Sequence, residues 1–229
     1  MRIYKNFINN DWVAANSEKT FPVDNPTTEE VFAEVPRSSA KDIDVAVVSA
    51  GSAFNGWRLT DPGSRREFLK EIAKKTAEYG DEIAKIITQE CGKPFVEAQD
   101  EIDVIASNFE YYAELGRDQI GRIVAPNSSR SMSLVKYEPY GVVGCIIPWN
   151  FPMALMAWKV APALAAGNTV VLKPSEVTPV SVLKWAEMTC DSLPSGVLNI
   201  VNGYGKEAGS ALVEHPDVPV IAFTGSVAT

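Results

Sequence analysis

Through the first half of the chain, apolar residues return every three or four positions. Ile43, Ala46, Val47, Ala50 and Phe54 mark one stripe, and Ser39 with Asp42 three residues on reads as its capped start. Ser64-Arg-Arg-Glu67 has the form of a capping box ahead of Phe68, Leu69 and Ile72. Gly80 breaks the pattern, and Ile83, Ile86 and Ile87 resume it until Gly92. Pro94 suits a first helical turn before Val96, Ile102, Ile105, Phe109 and Tyr112. These spacings predict helices whose apolar faces pack as core. Residues 1–36 read instead as extended and turn structure, with a polar turn inside FINNDWV and a loop at NPTTEE.

The period then changes. Arg122 to Ser129 reads as a loop, and RSMSLVKYEPYG has β character. From Gly141 onward strand, turn and helix alternate. GVVGCIIPW precedes a helix in MALMAWKVAPALAAG, which runs on despite Pro162. NTVVLKPS precedes a helix that starts at Thr178-Pro179 and carries Val182, Leu183, Ala186 and Met188. GVLNIV precedes a helix in KEAGSALVEH, and PVIAFTGS is a fourth strand. Near-continuous apolar strands alternating with helices predict an α/β fold, a doubly wound, mostly parallel sheet covered on both faces, with extra N-terminal helices. Ligands of such sheets gather at the carboxyl ends of the strands. Those ends read PWN, KPSE, NGYG and FTGS.

Composition removes some function classes. The 229 residues are 46% hydrophobic and 22% charged, which is globular, and the net charge is −8. An acidic chain disfavours nucleic acid and anionic membrane surfaces, whereas backbone amides can still hold a small anionic ligand. Residues 141–167 are apolar apart from Lys159, yet Pro148, Pro152, Pro162 and Asn150 make a poor transmembrane helix. No membrane association is expected. Cys91, Cys145 and Cys190 are far apart, without a CxxC pair and with one histidine, so neither a metal site nor a secreted disulfide framework is expected. The N-terminus lacks the apolar run of a signal peptide, and a cytoplasmic protein is the expectation.

Each strand-end turn is weak evidence taken alone. NGYGKEAG spaces its glycines G-x-G-x-x-x-G, one residue longer than the dinucleotide fingerprint, and the next strand ends without the acidic residue that takes a ribose. Lys173 and Glu176 could hydrogen-bond a ribose diol, or be a solvated pair in a loop. FTGS offers a hydroxyl and free amides where a pyrophosphate could sit, or a plain turn. Asn150, between two prolines, could donate to an oxyanion or cap the helix that follows.

Together and in this order, PWNFP, AAGNTVVLKPSE, GVLNIVNGYG and FTGS, with NPTTEEV and ECGKP upstream, resemble the aldehyde dehydrogenase superfamily. The resemblance spans essentially the whole chain. It implies a variant Rossmann fold and oxidation of an aldehyde to an acid with NAD, NADP being admissible. By it, Asn150 stabilises the oxyanion. Ile146, Pro148 and Trp149 line the cofactor cleft, and Lys173, Ser175 and Glu176 face the adenine ribose. Gly205 and Gly209 shape the adenine end, and Phe223, Thr224, Gly225 and Ser226 lie by the pyrophosphate. Glu176 favours NAD, because a carboxylate accepts from a 2′-hydroxyl and repels a 2′-phosphate. The resemblance also divides the chain: 1–120 as an N-terminal helical part of the cofactor domain, 121–140 as a β-hairpin of the oligomerisation region, and 141–229 as an incomplete NAD-binding part.

The departure lies in the chemistry. The family attacks its substrate with a cysteine thiolate and hydrolyses the thioester with a glutamate, in motifs that follow FTGS; neither motif is present in these residues. Cys145 lies in an apolar strand, and Cys91 and Cys190 lie near helix C-termini, all poor places for a thiolate. The expectation is a truncated cofactor half, with the catalytic domain absent and inactive alone. The partners implied are an aldehyde in the intact enzyme and further copies or full-length subunits in an oligomer. A non-catalytic nucleotide-binding or subunit-associating protein, or one half of a split enzyme, are the competing readings.

Overall fold

The computed structural model describes residues 1–118, 121–125, 128 and 130–226. The opening segment contains strands Arg2–Ile3 (β1), Asn6–Ile8 (β2), Asp11–Val13 (β3), Thr20–Asn25 (β4) and Glu30–Pro36 (β5). β1, β5 and β4 form a small sheet, while β2 and β3 extend the main one. Helices Ala40–Leu59 (α1), Pro62–Glu78 (α2), Gly80–Cys91 (α3) and Phe95–Leu115 (α4) follow, as the apolar stripes predict.

Their ends have identifiable causes. The Asp42 carboxylate accepts the Ser39 amide at 2.8 Å and the Asn16 amide at 2.6 Å, starting α1. α2 does not begin with the Ser64–Glu67 box. Asp61 caps it, accepting from Ser64 N at 3.0 Å, because Pro62 pre-sets the first helical φ and lacks only an N–H that would be orphaned anyway. Gly92 ends α3 at φ 76°, and a Cβ there would also lie 3.0 Å from the Pro26 ring. Val96 is 63% exposed and leaves the expected stripe. The buried line of α4 runs through Ala98, Ile102, Ile105 and Phe109, and a residue two positions from its start faces elsewhere.

Where periodicity reads a loop from Arg122, the structure holds a strand, Arg122–Val124 (β6), antiparallel to Ser133–Val135 (β7), inside the 121–140 segment that the resemblance reads as a β-hairpin. None of its residues is buried, so no alternation marked it. Within the expected loop, Pro126, Asn127 and Ser129 lie outside the described residues.

Strands Val142–Ile146 (β8), Thr169–Lys173 (β9), Leu198–Ile200 (β10) and Val220–Phe223 (β11) are linked by helices Pro152–Ala165 (α5) and Val180–Thr189 (α6) and by a π-helical turn, Gly205–Gly209, that runs into Ser210–Val213 (α7). KEAGSALVEH is therefore not one α-helix. The amides of Glu207, Ala208 and Gly209 converge on the Tyr204 carbonyl, which widens its first turn. The main sheet runs β11-β8-β9-β10-β2-β3, with β8 to β11 mutually parallel and β2 antiparallel to β10.

Both faces of this sheet are buried. Val142, Val171 and Val201 pack with Ile43, Ala46 and Val47 of α1 and Leu212 of α7. Val143, Cys145, Val170 and Leu172 pack in a larger core with α5, α6 and the helices before β6. Trp57 and Trp185 anchor that core, their indole N–H groups donating to Leu164 O at 3.2 Å and Thr76 Oγ1 at 2.9 Å. Truncating either would cost about 3–5 kcal/mol. Among the described residues, no helix is long and apolar enough to cross a membrane. The apolar run 141–167 is β8 followed by α5.

Candidate active site

The chain proceeds from β8 to β9 to β10 and then returns to pair β11 on the far side of β8. Strand order reverses there, and the crevice beyond the carboxyl ends at such a switch point is where open α/β sheets bind ligands. Ile146 ends β8, and its carbonyl accepts from Thr224 N at 3.1 Å, which ties the PWN and FTGS turns together. Trp149 is 55% exposed and Asn150 is also exposed, with no hydrogen bond to its side-chain amide among the described residues. Pro148 is half-buried, whereas Phe223, Gly225 and Ser226 are exposed.

Lys173 ends β9 with 2% exposure, and its Nζ donates to Glu176 Oε2 at 2.9 Å. Burial pulls the Lys173 ammonium below its ordinary value, opposed by Glu176. Burial would raise the Glu176 carboxyl, but the hydrogen bond and charge of Lys173, with the amides of Glu176 and Gly205, bring it below its usual range. Glu176 therefore stays ionised, half-open to solvent, with acceptor capacity to spare. Ser175 shapes the same loop, its Oγ accepting Val177 N at 3.3 Å and its carbonyl accepting Thr178 N at 3.3 Å. A Cβ added to Gly205 or Gly209 would meet no atom within 4 Å. Internal packing does not demand glycine at either position, and the space beside exposed Gly205 could take a ligand. Gly225 differs, since a Cβ there would come within 2.3 Å of the Phe223 ring.

The turns thus come together as expected, but several neighbours were not singled out in the sequence. Lys159 on α5 donates to Thr224 Oγ1 at 2.6 Å, and burial lowers its ammonium. A lone charge in an apolar helix was the available signal. A cavity of about 490 Å³ opens beside Asn150, lined also by Glu97, Asp100, Glu101, Val104, Phe151, Ala154, Leu155 and Trp158. Two glutamates that read as polar helix positions are nearly inaccessible, Glu90 at 1% and Glu101 at 3%. Glu101 Oε1 accepts the amides of Met153 and Ala154 at 2.8 and 2.9 Å, and its Oε2 accepts from Lys93 Nζ at 2.6 Å. Glu90 accepts from Val180 N at 2.7 Å, Ser181 N at 3.1 Å and Ser181 Oγ. Burial pushes the Glu90 carboxyl up to about 8 despite these donors.

The cysteines are poor nucleophiles. Burial pushes the Cys145 and Cys190 thiols up to about 12, and it raises that of half-buried Cys91, whose Sγ lies 3.4 Å from the Trp149 carbonyl. No cluster of three or more metal-ligating side chains occurs among the described residues.

The model of the aldehyde dehydrogenase family matches residues 12–229. Aminoaldehyde dehydrogenase 2, peroxisomal, of Pisum sativum is 45% identical over 97% of this chain and 46% of its own length. Betaine aldehyde dehydrogenase, chloroplastic, of Amaranthus hypochondriacus is 42% identical with the same coverage. A solved aldehyde dehydrogenase from Bacillus cereus in complex with NAD+ superposes with a TM-score of 0.94 at 41% identity, over 97% of this chain and 46% of that one. The chain therefore spans about half the length of the relatives it matches. On the family match, the sequence identity and the shared architecture, the chain belongs to the aldehyde dehydrogenase family.

Proposed function

We propose that these residues form the cofactor-binding half, with the oxyanion donor, of an NAD-dependent aldehyde dehydrogenase that oxidises an aldehyde to a carboxylic acid. The observation that carries this reading is that the carboxyl ends of the paired parallel strands β8 and β9 present, side by side, an exposed Asn150 amide with no side-chain hydrogen bond among the described residues and an ionised, half-exposed Glu176 held by buried Lys173. When bound, NAD supplies a hydride acceptor. The protein's share is to orient it: Glu176 accepts from the ribose hydroxyls, and Lys173 keeps that carboxylate in place and charged. Open space beside Gly205 receives the adenine end, and the Thr224–Ser226 turn with Lys159 stands where the pyrophosphate would lie. Ile146, Pro148, Trp149 and Phe223 wall the cleft. A 2′-phosphate would meet the Glu176 charge, so NAD is preferred to NADP.

Asn150 donates to the substrate oxygen as negative charge develops on it. The nucleophile and base belong to the half of the family's length outside these 229 residues. The cavity beside Asn150 sets the substrate class. Glu97 and Asp100 at its margin and the exposed face of Trp158 suit an aldehyde whose far end is cationic, in keeping with the names of the aminoaldehyde and betaine aldehyde relatives. Assembly through the β6–β7 ribbon and a cytoplasmic setting complete the reading.

The test is aldehyde-dependent NADH formation by a polypeptide spanning the family's full length. Asn150→Ala lowers kcat about 10²–10³-fold with NAD affinity unchanged. Turnover equal to the parent's would overturn the assignment.

A further inference from the structure

α5 and α6 share an unusual construction. Each follows directly on a site loop, PWN or KPSE, and each lacks a local cap: the residues at their N-cap positions are Phe151 and Pro179, without side-chain hydrogen bonds. A serine or aspartate there would satisfy the first amides at little cost. The acceptors come instead from far along the chain. Glu101 reaches Met153 and Ala154 across 52 and 53 positions, and Glu90 reaches Val180 and Ser181 across 90 and 91. Burying two carboxylates is an expensive way to cap two helices. What the arrangement adds is a mechanical link, because both caps spring from the stretch Glu90–Glu101, which runs from the end of α3 into the first two turns of α4.

That stretch grips the Asn150 loop at further points. Lys93 Nζ pairs with Glu101 and lies 4.1 Å from the centre of the Phe151 ring. Cys91 Sγ contacts the Trp149 carbonyl at 3.4 Å. Thr178 Oγ1, on the KPSE side, reaches the same carbonyl at 3.5 Å. Gly92, left-handed at φ 76°, provides the sharp turn that sends Glu90 and Lys93 to different helices.

We propose that the Glu90–Lys93 segment with Glu101 is a brace that fixes the oxyanion amide relative to the ribose-binding pair, Glu90 and Glu101 acting as positioning residues through the first turns of α6 and α5. The catalytic meaning of the brace rests on the function proposed above; its mechanical meaning does not. The brace also fills the N-termini of α5 and α6 with carboxylates. Neither terminus is then open to a cofactor phosphate, which leaves that part to the Thr224–Ser226 side of the crevice.

Amide hydrogen exchange on the purified chain, resolved by residue, tests this, with NAD titration alongside. Glu101→Ala speeds exchange at Met153 and Ala154 about ten-fold or more and leaves Val180 and Ser181 within about two-fold. Glu90→Ala does the reverse and also weakens NAD binding, although Lys173 and Glu176 are intact. Glu90→Gln keeps one acceptor oxygen where Glu90 uses one for Val180 and the other for Ser181, so it restores protection at one of these two amides and not at both. The paired change Lys93→Met with Glu101→Gln removes both buried charges while keeping an acceptor, so it folds even where Glu101→Ala does not, and it retains protection at Met153 and Ala154. Loss of protection in that pair, equal loosening of both helices by either alanine, or no acceleration at the four amides would overturn the brace. Exchange needs neither NAD nor turnover, so a parent chain that bound no NAD would refute the proposed function and leave the exchange result to decide the brace.

Discussion

Removing Glu176 should destabilise the protein more than removing its buried partner. Lys173 Nζ is 3% accessible at the side-chain level, and Glu176, at 38%, is its hydrogen-bonded counter-ion at 2.9 Å. In Glu176→Ala the ammonium stays buried with no anion beside it. Breaking a fully buried pair costs about 3–5 kcal/mol; here water reaches the vacated side, so about 2 kcal/mol is the better figure. At about 2–4 °C per kcal/mol for a chain of this size, Tm falls by about 4–8 °C. Lys173→Met behaves otherwise. Methionine keeps the apolar stem, and the stranded carboxylate turns to solvent, for a loss below about 1 kcal/mol. The double variant should resemble Lys173→Met alone, since the stranded charge is gone, giving a clear non-additive cycle. Urea unfolding followed by tryptophan fluorescence measures all three. A Glu176→Ala protein within about 0.5 kcal/mol of the parent, or a double variant equal to the sum of the singles, would refute the reasoning.

The Glu90 carboxyl, raised to about 8 by burial, binds its proton more tightly folded than unfolded, where 4.5 is its reference value. Its contribution is fully present below about 4.5 and is lost as pH rises through about 8, so Glu90→Gln should gain stability relative to the parent across that window; a difference flat with pH in parallel urea titrations would contradict this. Gly205→Leu should leave Tm unchanged within about 2 °C, because Gly205 is exposed and a Cβ there meets no atom within 4 Å, yet it should abolish NAD binding in calorimetry. Unimpaired binding would remove the adenine end from that space.

Local signals carried much of the fold. The stripes of α1 to α4 were legible because three- and four-residue spacing of apolar side chains follows from helix geometry. β8 to β10 were legible because a sheet covered on both faces leaves few polar positions in its strands. β6 was not, since a ribbon exposed on both sides has no period to read. The Asp61 cap was written plainly in Asp-Pro-Gly-Ser, but the Ser64–Glu67 box competed with it.

Within the site, the turns themselves could be read, and what supports them could not. Glu90 and Glu101 look like ordinary polar positions of α3 and α4, because the amides that justify their burial lie 52 to 91 residues away. Lys159 was visible as an isolated charge, whereas its partner Thr224 became apparent only when β11 was placed beside β8. Spacing within a segment is local information; these contacts depend on strand order.

Calorimetric titration of the purified chain with NAD and with NADP, in parent and Glu176→Ala, tests the central claim most directly. Saturable NAD binding is expected within the range up to about 1 mM in which enzyme KM values fall, with weaker NADP binding and loss of that preference in the variant. No saturable NAD binding, or a preference for NAD that survives without Glu176, would contradict it.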